Sequence, residues 1–435
     1  MPLAAAGIAR QGEEGLRALV VGSGAREHAI AWKLLQGGAL DELYAAPGNP
    51  GMAAFANCVP IPADATVELA EFAASLKIDL TVVGPELPLV QGIGDEFAQR
   101  GLVLLGPSRA AAEVEGSKVF TKELCQRYGV PTADARTVHN RAEAEKAVRA
   151  LGVPVVLKAD GLAAGKGVSV CHTRDEVDLA LVRFFDQHAF GAAAERVLVE
   201  EYLTGDEVTF MVLTDGSTIV PLATSRDFKR LSDGDRGPNT GGMGAYSPAP
   251  LPTDIAATIL RQIVQPTLDG LAREGRAFRG VLYAGVMLTP TGPRLLEFNC
   301  RLGDPETQVV LPRLDVELFT LLRAAATGEL AGVRVAWKHE ATACVVLAAA
   351  GYPEAPHRGD AISGVAEALA LPGVLVFHAG TAVHEGRLVA AGGRVLSVVG
   401  RGGTLAEATT CAYGAVEHIR FEGMHYRRDV GRVRE

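Results

Sequence analysis

The chain has 435 residues, of which 48% are hydrophobic and 21% are charged, as in globular proteins of about three domains. Its formal net charge of −9 gives no sign of the broad basic surface that binds nucleic acid or anionic membranes. No apolar run reaches the length of a transmembrane helix, and the first residues lack the apolar region of a signal peptide. We therefore expect a cytoplasmic protein, with residues 1–15 as a loose extension.

Six cysteines are spread along the chain without CxxC spacing. This pattern argues against a zinc site or a disulfide framework and favours a reducing compartment. The isolated histidines, among them His28, His172 and His378, show no spacing typical of a metal site or a catalytic triad. We interpret them as packing or surface residues.

Predicted strands and helices alternate over residues 16–117. The run LRALVV predicts a buried parallel strand that leads through GSGAREH into a helix, and IDLTVVGPE predicts a later strand ending in a loop. The first helix is expected from about Ala29 to Leu35. This alternation is typical of an open α/β domain with a parallel sheet, in which ligands bind at the carboxyl ends of the strands.

The first glycine loop resembles a dinucleotide-binding fingerprint only in part. Gly22 and Gly24 follow the first strand, but Glu27 stands where the third glycine would be. The second strand, in YAAPGN, lacks the acidic residue that takes a ribose hydroxyl, so NAD is disfavoured. Backbone amides at the helix start, together with Arg26, favour an anion site, with a tight strand–helix turn as the alternative.

Residues 118–328 show an α+β pattern of hairpins and mixed sheets, in which a helix from about Asp254 to Arg273 precedes a hairpin of VLYAGVML and RLLEFNC across the turn TPTGP. Within them, the loop ADGLAAGKGV is one residue too short for a Walker A loop, and Gly167 replaces the required Ser or Thr. The loop lies between two predicted strands, and Lys158 and Lys166 flank its glycines. We predict a glycine-rich lid that closes over phosphates, with a flexible surface hairpin as the alternative.

Two further polar segments are candidate ligand sites. In VEEYLTGDEVTF, backbone groups after Glu201 would read an adenine and a carboxylate would take ribose hydroxyls, although a solvated strand end is the alternative. Residues 225–248 predict a long loop in which Lys229 or Arg230 would neutralise phosphoryl charge. Asp227 in the same loop would hold a substrate amine. A loop this long is usually functional or disordered, with a surface Ω-loop as the alternative.

The segment LLEFNCRLGDPETQ combines a strand end with a cluster of polar groups. Side chains alternate faces along a strand, so Glu297 and Asn299 point the same way and offer two oxygen ligands that suit Mg²⁺. Arg301 continues the alternation and adds a planar cation fitted to a carboxylate or phosphate. Asp304 is expected to cap a following helix, with Pro305 at its first position. The alternative is a polar strand end without a metal.

A third, β-rich pattern begins at about Val335. Strands are predicted in ATACVVLAAAGYP, VLVFHAGT and GGRVLSVVGRG, followed by a helix from Leu405 to Ile419. No internal repeat or long linker interrupts the chain. We therefore predict a separate C-terminal domain.

Taken in order, these segments resemble the glycinamide ribonucleotide synthetases (phosphoribosylamine–glycine ligases), a family of ATP-grasp enzymes of purine biosynthesis. The resemblance extends from about residue 17 to about residue 432, and GPNTGGMGAYSP and EFNCRLGDPETQ set this family apart from other ATP-grasp enzymes. It implies an N-terminal open parallel α/β (pre-ATP-grasp) domain over residues 16–117, a central ATP-grasp domain over 118–328 with a mobile lid at about 135–200, and a C-terminal β-rich domain over 329–435.

The resemblance also implies the reaction. ATP, glycine and phosphoribosylamine would give glycinamide ribonucleotide, ADP and phosphate, through attack of the glycine carboxylate on the γ-phosphorus to form glycyl phosphate. Mg²⁺ or Mn²⁺ would take part, and positioning with charge neutralisation would supply most of the catalysis. We expect no nucleic-acid or membrane partner, and a monomer or weak homodimer.

Site residues follow from the matching motifs. The groups expected at ATP are Lys118, Lys158, Gly161, Gly165, Lys166, Gly167, Glu200, Glu201, Leu203 and Glu207. The metal ligands would be Glu297 and Asn299, and the catalytic groups Arg301, Lys229 and Asp227. The groups expected around phosphoribosylamine or glycine are Gly24, Arg26, Glu27, Gly84, Pro85, Asn239, Gly241, Gly242, Met243, Gly244, Asp304 and Pro305.

Two other interpretations stay open. A different ATP-grasp ligase would act on another acceptor amine, although the N-terminal anion loop and the GPNTGGMGAYSP segment argue against it. A non-catalytic nucleotide-binding module should have lost polar groups such as Glu297 and Lys158, and both are present. The strand LYAGVM carries no acid where many ATP-grasp relatives place a further metal ligand, which leaves a second metal thinly coordinated.

Overall fold

The computed structural model describes residues 15–162, 167–187 and 189–432. The first part of the fold contains β1 Arg17–Gly22, α1 Ala25–Gln36, β2 Glu42–Pro47, β3 Asn57–Cys58, α2 Thr66–Ser75, β4 Leu80–Val83, α3 Glu86–Gln91, α4 Ile93–Gln99, β5 Leu104–Leu105 and α5 Arg109–Gly116. Its five strands form one parallel sheet in the order β3-β2-β1-β4-β5. The predicted N-terminal parallel α/β architecture is confirmed.

The centre of this sheet explains the apolar run at its start. Strand β1 pairs with β2 on one side and β4 on the other, so nearly all of its side chains are buried. Helix α1 begins at Ala25, earlier than the predicted start near Ala29, because the chain turns directly after the strand. The Glu27 carboxylate accepts the Gly24 N–H at 2.5 Å and stabilises this early start.

A second, smaller sheet follows. It belongs to a segment that contains α6 Lys118–Tyr128, β6 Ala135–Val138, α7 Arg141–Leu151, β7 Val155–Ala159, β8 Val168–Cys171, α8 Arg174–Leu181 and β9 Val197–Glu201. The strands are antiparallel in the order β6-β9-β7-β8, and they share a hydrophobic core with α7 and α8. The predicted glycine-rich hairpin joins β7 to β8, and its residues 163–166 lie outside the described residues.

The central sheet carries the motif LLEFNC. This region contains β10 Asp206–Thr214, β11 Ile219–Pro221, β12 Arg226–Asp227, β13 Arg230–Ser232, β14 Arg236–Asn239, β15 Gly244–Ser247, α9 Thr253–Ile259, α10 Gln265–Arg273, β16 Gly280–Thr289, β17 Gly292–Asn299, α11 Glu306–Val310 and α12 Leu318–Thr327. Four of the strands form an antiparallel sheet in the order β11-β10-β16-β17. The predicted β16–β17 hairpin is present, and it places LLEFNC at the sheet edge.

The last part of the chain builds a sheet that also takes strands from the central region. It contains β18 Ala341–Ala348, α13 Val365–Leu369, β19 Val374–His378, β20 Thr381–His384, β21 Arg387–Ala390, β22 Arg394–Gly402 and α14 Leu405–Val416. The sheet order is β12-β15-β18-β22-β19, and α14 packs on it. The predicted β-rich C-terminal part is confirmed, and two strands from residues 226–247 complete its sheet.

Residues 225–248 are therefore not the long loop that was predicted. They contain four short strands, of which β13 and β14 form a hairpin while β12 and β15 join the C-terminal sheet. Gly, Asn and Asp are frequent in turns, so their abundance hid strands whose partners lie far along the chain.

The helices are short. The longest in the described part of the chain, α1 and α14, have 12 residues each. A π-helical segment, Leu260–Val264, joins α9 to α10, where the sequence predicted one helix. None of the helices in the described ranges is both long and apolar enough to cross a membrane.

Two histidines lie at the contact between the first and last parts of the fold. His28 Nδ1 accepts the His378 N–H at 2.9 Å, and His378 Nδ1 lies 3.1 Å from Thr381 Oγ1. Burial lowers the pKa of His28 to about 3, with His378 adding to the shift, and burial lowers the pKa of His378 to about 4. Both rings are neutral packing groups at pH 7, as predicted for isolated histidines.

This neutral pair makes stability depend on pH. Both histidines have a folded-state pKa below the unfolded value of about 6.5, so the unfolded chain binds more protons as the pH falls. We expect the free energy of unfolding to decrease from about pH 7 toward pH 4, by roughly 2 kcal/mol per histidine at pH 5. Urea unfolding of the wild type and of His28→Gln at pH 7.5 and 5.0 would measure this. An equal pH dependence in both proteins would contradict the assignment.

Candidate active site

A polar cleft with a volume of about 1170 Å³ lies where the parts of the fold meet. Pro85 and Glu115 come from the first part, Lys158 from the second, smaller sheet, Glu297 from the central sheet, and Arg394 from the last part. Clefts between domains that gather charged side chains in this way are typical ligand sites.

Two lysines converge on one carboxylate in the cleft. Lys158 Nζ lies 2.7 Å from Glu200 Oε2, and Lys122 Nζ lies 3.2 Å from Glu200 Oε1. Glu200 is only 3% exposed, and burial disfavours its charged form. The two ammonium groups outweigh burial and hold the pKa of Glu200 below its usual value. Glu200 is therefore ionised, and it orients Lys158 toward the cleft.

A further lysine lies at the base of the β7–β8 loop. Lys118 Nζ donates to the Gly161 carbonyl at 3.1 Å, and Lys158 Nζ donates to the Leu296 carbonyl at 3.2 Å. Burial lowers the pKa of Lys118, although Glu297 opposes the shift. These ammonium groups give one end of the cleft a positive charge that favours the binding of phosphates. The predicted ATP ligands Gly165 and Lys166 lie outside the described residues.

The chain after β9 lines the same end of the cleft. The Glu201 carboxylate accepts the Asp134 N–H at 3.0 Å and pairs with Arg294 at 2.6 Å. Glu201 and Leu203 border the cleft, and their contact with an adenine stays a prediction. Glu207, predicted to take ribose hydroxyls, follows on β10 and also borders it.

The predicted metal ligands lie on one face of β17. Glu297 and Asn299 both line the cleft. Gly285 pairs with Glu297 but the next residue of β16 pairs with Leu295, so Leu296 is a bulge residue. Gly285 has no side chain, and a Cβ there would approach Glu297 Cγ to 3.3 Å. The glycine on β16 thus leaves room for the Glu297 side chain.

A lysine lies between two carboxylates beside this face. Lys229 Nζ is 3.4 Å from Glu297 Oε1 and also contacts Glu207 Oε1. Attraction to Lys229 outweighs burial and lowers the pKa of Glu297 to about 2. Glu297 is therefore ionised at neutral pH, as a metal ligand must be.

These residues fit Mg²⁺. One ionised carboxylate and one amide oxygen give two hard ligands, and Mg²⁺ usually completes its shell with phosphates and water. Within residues 15–162, 167–187 and 189–432, no group of three or more His, Cys, Asp or Glu side chains is arranged to hold a metal. A metal held by Glu297 and Asn299 would therefore depend on substrate phosphates as well.

Arg301 is held by groups on several elements. Its Nη2 lies 3.0 Å from Glu115 Oε1 and 3.3 Å from Asn299 Oδ1, and its Nε lies 3.4 Å from Glu86 Oε2. Glu115 Oε2 also accepts the Cys300 N–H at 2.7 Å. Because β17 ends at Asn299, these ion pairs position Arg301, and the predicted strand alternation does not reach it.

Asp227 belongs to an acidic group deep in the cleft. Removal from bulk water raises the pKa of Asp227 well above its usual value, although Lys229 opposes the shift and Glu306 adds to it. The Thr209 hydroxyl connects Tyr283 at 3.0 Å with Glu306 at 3.3 Å. A cationic amine bound here would favour the ionised form of Asp227, as expected of a residue that holds an amine.

Asp304 does not cap the following helix, so this prediction was wrong. Helix α11 begins at Glu306, and the Asp304 carboxylate instead pairs with Arg394 Nη2 at 2.7 Å and accepts from Gln308 Nε2 at 2.7 Å. Arg394 also donates to the Gly241 carbonyl. A guanidinium binds a carboxylate more strongly than backbone amides do, which explains the preference.

The predicted anion loop at α1 already contains a carboxylate of the protein. Glu27 is 2% exposed, accepts the Gly24 N–H and pairs with Arg26 at 2.6 Å. A Cβ on Gly84 would lie 1.9 Å from Glu27 Oε1, so only glycine fits there. Arg26 lines the cleft, whereas Glu27 lies beneath the loop and supports it.

The structure brings many of the predicted residues to this one cleft. Those that line it are Arg26, Pro85, Lys118, Lys158, Gly167, Glu200, Glu201, Leu203, Glu207, Asp227, Lys229, Asn239, Gly241, Glu297, Asn299, Arg301 and Asp304. Those described that do not line it are Gly24, Glu27, Gly84, Gly161, Gly242, Met243, Gly244 and Pro305. The second set consists mainly of glycines, which shape the backbone next to the residues of the first set.

Sequence reasoning missed several charged groups. They are Glu86, Glu115, Lys122, Glu306 and Arg394. For Lys122 a signal existed, since it follows Lys118 by one helical turn and so lies on the same face of α6. The others owe their position to partners far along the chain.

Lys122 gives a prediction for nucleotide binding. We expect Lys122→Met to raise the KM for ATP by about tenfold, because Glu200 would then draw Lys158 away from the phosphates. Steady-state kinetics at varied ATP would measure the change, with Lys146→Met, at an exposed position on α7, as the control. A KM for ATP equal to that of the control would contradict this role.

The fold and the cleft together define an ATP-grasp enzyme. The phosphoribosylglycinamide synthetase N domain matches residues 16–115, its ATP-grasp (A) domain residues 116–307 and its C domain residues 342–433. The chain belongs to the phosphoribosylglycinamide synthetase family. The predicted family and the predicted class of ATP-dependent ligase are thereby confirmed.

Relatives match along nearly the whole chain. The phosphoribosylamine–glycine ligase of Mesorhizobium japonicum is 49% identical over 417 residues, which cover 96% of this chain and 98% of the relative. That of Pseudomonas aeruginosa is 47% identical over 423 residues, covering 96% and 97%.

Solved structures show the same architecture. The phosphoribosylamine–glycine ligase of Thermotoga maritima superposes with a TM-score of 0.81 at 35% identity, covering 95% of this chain and 100% of that one. Biotin carboxylase of Campylobacter jejuni, solved as a β-γ-ATP complex, superposes with a TM-score of 0.72 at 15% identity, covering 95% and 93%. The second likeness concerns the fold alone.

Proposed function

We propose that this chain joins glycine to phosphoribosylamine with the use of ATP, giving glycinamide ribonucleotide, ADP and phosphate. The observation that carries the proposal is the single cleft in which a lysine cluster, an ionised Glu297 and the Arg301 guanidinium face one another. Relatives named phosphoribosylamine–glycine ligases, which align over 96% of the chain, support the choice of substrates.

The first half of the proposed reaction activates glycine. A carboxylate is a poor acyl donor until one of its oxygens carries a phosphoryl group, so the glycine carboxylate attacks the γ-phosphorus to form the acyl phosphate and ADP leaves. Lys118 and Lys158 hold the phosphates of ATP during this step. Glu297 and Asn299 would hold Mg²⁺, which would neutralise phosphate charge.

The second half transfers the glycyl group. The amine of phosphoribosylamine attacks the carbonyl carbon of glycyl phosphate, a C–N bond forms, the C–O bond to phosphate breaks and the amine loses a proton. Lys229 and Arg301 neutralise the departing charge, and Asp227 holds the glycine ammonium group. Arg26 and the loop at Gly241 border the acceptor.

Other parts of the proposal concern the cellular location of the protein, its oligomeric state and its metal. We place the protein in the cytoplasm, as a monomer or weak homodimer, with Mg²⁺ as the metal and Mn²⁺ as a substitute. The two hard oxygen ligands suit both ions, since each accepts carboxylate and amide oxygens. Activity titrations with each metal would test the choice of metal, sedimentation of the purified chain would test the oligomeric state, and cell fractionation would test the location.

The direct test measures ADP release. Purified protein is given Mg²⁺-ATP and glycine, with and without freshly generated phosphoribosylamine. We expect ADP to appear at an appreciable rate only when both substrates are present. ADP release without stimulation by phosphoribosylamine, in a folded sample that binds ATP, would reject this acceptor and favour another amine on the same ATP-grasp chemistry.

A further inference from the structure

A fully buried arginine lies near the end of the described chain. Arg427 is 1% exposed and follows α14 in the segment 425–430, here called the C-terminal strap. Its guanidinium donates to both oxygens of Asp429 at 2.7 Å, to Asp235 Oδ1 at 2.7 Å and to the Arg230 carbonyl at 3.1 Å. It also lies 4.8 Å from the centre of the Phe228 ring.

Other groups of the strap contact the same hairpin, β13–β14. His425 Nε2 lies 3.0 Å from the Leu231 carbonyl. The Arg428 N–H donates to Asp233 Oδ1 at 2.7 Å, and Asp429 Oδ2 accepts the Gly234 N–H at 2.9 Å. The strap therefore contacts β13 and the turn that follows it.

The hairpin forms part of the cleft wall. Arg230, Asp235 and Asn239 line the cleft. Lys229 immediately precedes the hairpin, and its carbonyl accepts the Thr240 N–H at 2.8 Å, which closes the base. The position of the hairpin therefore sets where Lys229 and the loop that follows Asn239 lie.

The hairpin depends on support from outside. It has three residues in β13 and four in β14, its register is irregular between Arg230 and Ser232, and within the described ranges these strands pair only with each other. A two-stranded hairpin of this size is not stable alone in water. A buried arginine is itself costly unless its donors are satisfied, which is the case for Arg427 because the hairpin supplies two of its acceptors.

We propose that Arg427 is a positioning residue for the acceptor substrate, which it serves by fixing the β13–β14 hairpin at the cleft. This inference rests on the proposed function, because it assigns the strap to the part of the cleft that would bind phosphoribosylamine. The nucleotide side has its own supports, since Lys158 and Lys118 contact Glu200 and Gly161. Loss of Arg427 should therefore disturb the phosphoribosylamine side of the cleft more than the lysines that hold ATP.

The experiment compares Arg427→Met with three further variants in the full chain. Asp429→Asn removes the charge that holds Arg427 and retains the rest of the strap. This variant keeps the proposal testable if Arg427→Met does not fold. Arg428→Met is the matched control, because the hydrogen bond from Arg428 to the hairpin comes from its backbone and its side chain lies beside Tyr426. Arg427→Lys keeps the charge but loses the planar fork.

We expect Arg427→Met and Asp429→Asn to raise the KM for phosphoribosylamine by about tenfold or more, with the KM for ATP within about twofold of the wild type. Arg427→Lys should raise the KM for phosphoribosylamine less than Arg427→Met does, and Arg428→Met should have the KM of the wild type. A purely structural role would lower the folded fraction and leave each KM unchanged in the molecules that stay folded, and that result would overturn the proposal. An unchanged KM for phosphoribosylamine in both folded variants would also overturn it.

The proposed function is tested separately. If wild-type protein shows no stimulation of ADP release by phosphoribosylamine, the reaction assignment fails before any variant is compared. If the wild type is active and the variants behave like Arg428→Met, only the role of Arg427 fails.

Discussion

Glu297→Ala is expected to lower kcat by roughly 10³-fold while the protein keeps its fold. Glu297 is the only carboxylate on the cleft face of the described strand β17, and Asn299 beside it is neutral. Its ionised form, stabilised by Lys229, supplies the charge that a divalent cation needs. Without it, Lys229 retains only Glu207 as an ion-pair partner in this position.

The measurement is ADP release under saturating substrates, together with an unfolding curve. Glu297→Gln serves as a matched variant, since it keeps the shape of the side chain and removes the charge. We expect both variants to fold and both to lose most of their turnover, with an increased Mg²⁺ requirement in the activity that remains. Turnover like that of the wild type in Glu297→Ala would refute the metal assignment.

Arg301→Lys is expected to lower kcat by about 10²-fold to 10³-fold although the positive charge is kept. The guanidinium contacts Glu86, Glu115 and Asn299 at the same time, through nitrogens that lie in one plane. A lysine ammonium is a point charge on a flexible stem and cannot reach three partners in fixed directions. The cation at position 301 would then lose the fixed orientation in which we propose that it meets the reacting carboxylate and phosphate.

A control for this substitution exists in the chain. Arg276 also pairs with a carboxylate, Glu113, but does not line the cleft, so Arg276→Lys should leave turnover within about twofold of the wild type. If Arg301→Lys and Arg276→Lys gave the same kcat, the planar guanidinium would not matter for the chemistry. Rate measurements at saturating glycine separate this effect from weaker glycine binding.

Local sequence pattern was sufficient for much of the fold. The run LRALVV predicted β1 because a strand buried on both faces needs apolar residues at every position. The β16–β17 hairpin was predicted because two apolar runs flank a short polar turn. In both cases the signal and the structure concern neighbouring residues, so no knowledge of distant partners was needed.

Pattern was insufficient where distant partners decide the structure. Strands β12 and β15 are short and polar in sequence, and they are strands because β15 pairs with β18 of the last part of the fold. The same holds for Asp304, whose carboxylate binds Arg394 from a different sheet instead of capping α11. Long-range pairings of this kind leave no periodic signal near the residues concerned.

The candidate site was predicted as a set of residues more reliably than as a set of roles. Glu297 and Asn299 lie side by side as strand alternation required. Glu27 was expected at the substrate, but it is buried beneath Gly24 and Gly84 because the glycines leave space that its side chain fills. Glu115 was not predicted, since the role of this buried acid depends on its ion pair with Arg301, which lies far along the chain.

The shared C-terminal sheet has a consequence for synthesis on the ribosome. Gly244 pairs with Val345, so β15 must wait for roughly 100 further residues, which translation at about 5–20 residues per second adds in roughly 5–20 s. During that interval the nascent chain carries an unpaired strand edge, which is a template for wrong pairing. Slow translation of codons between these strands should therefore increase the demand for chaperones, and a ribosome stalled before residue 341 should hold a chain in which β15 still lacks β18.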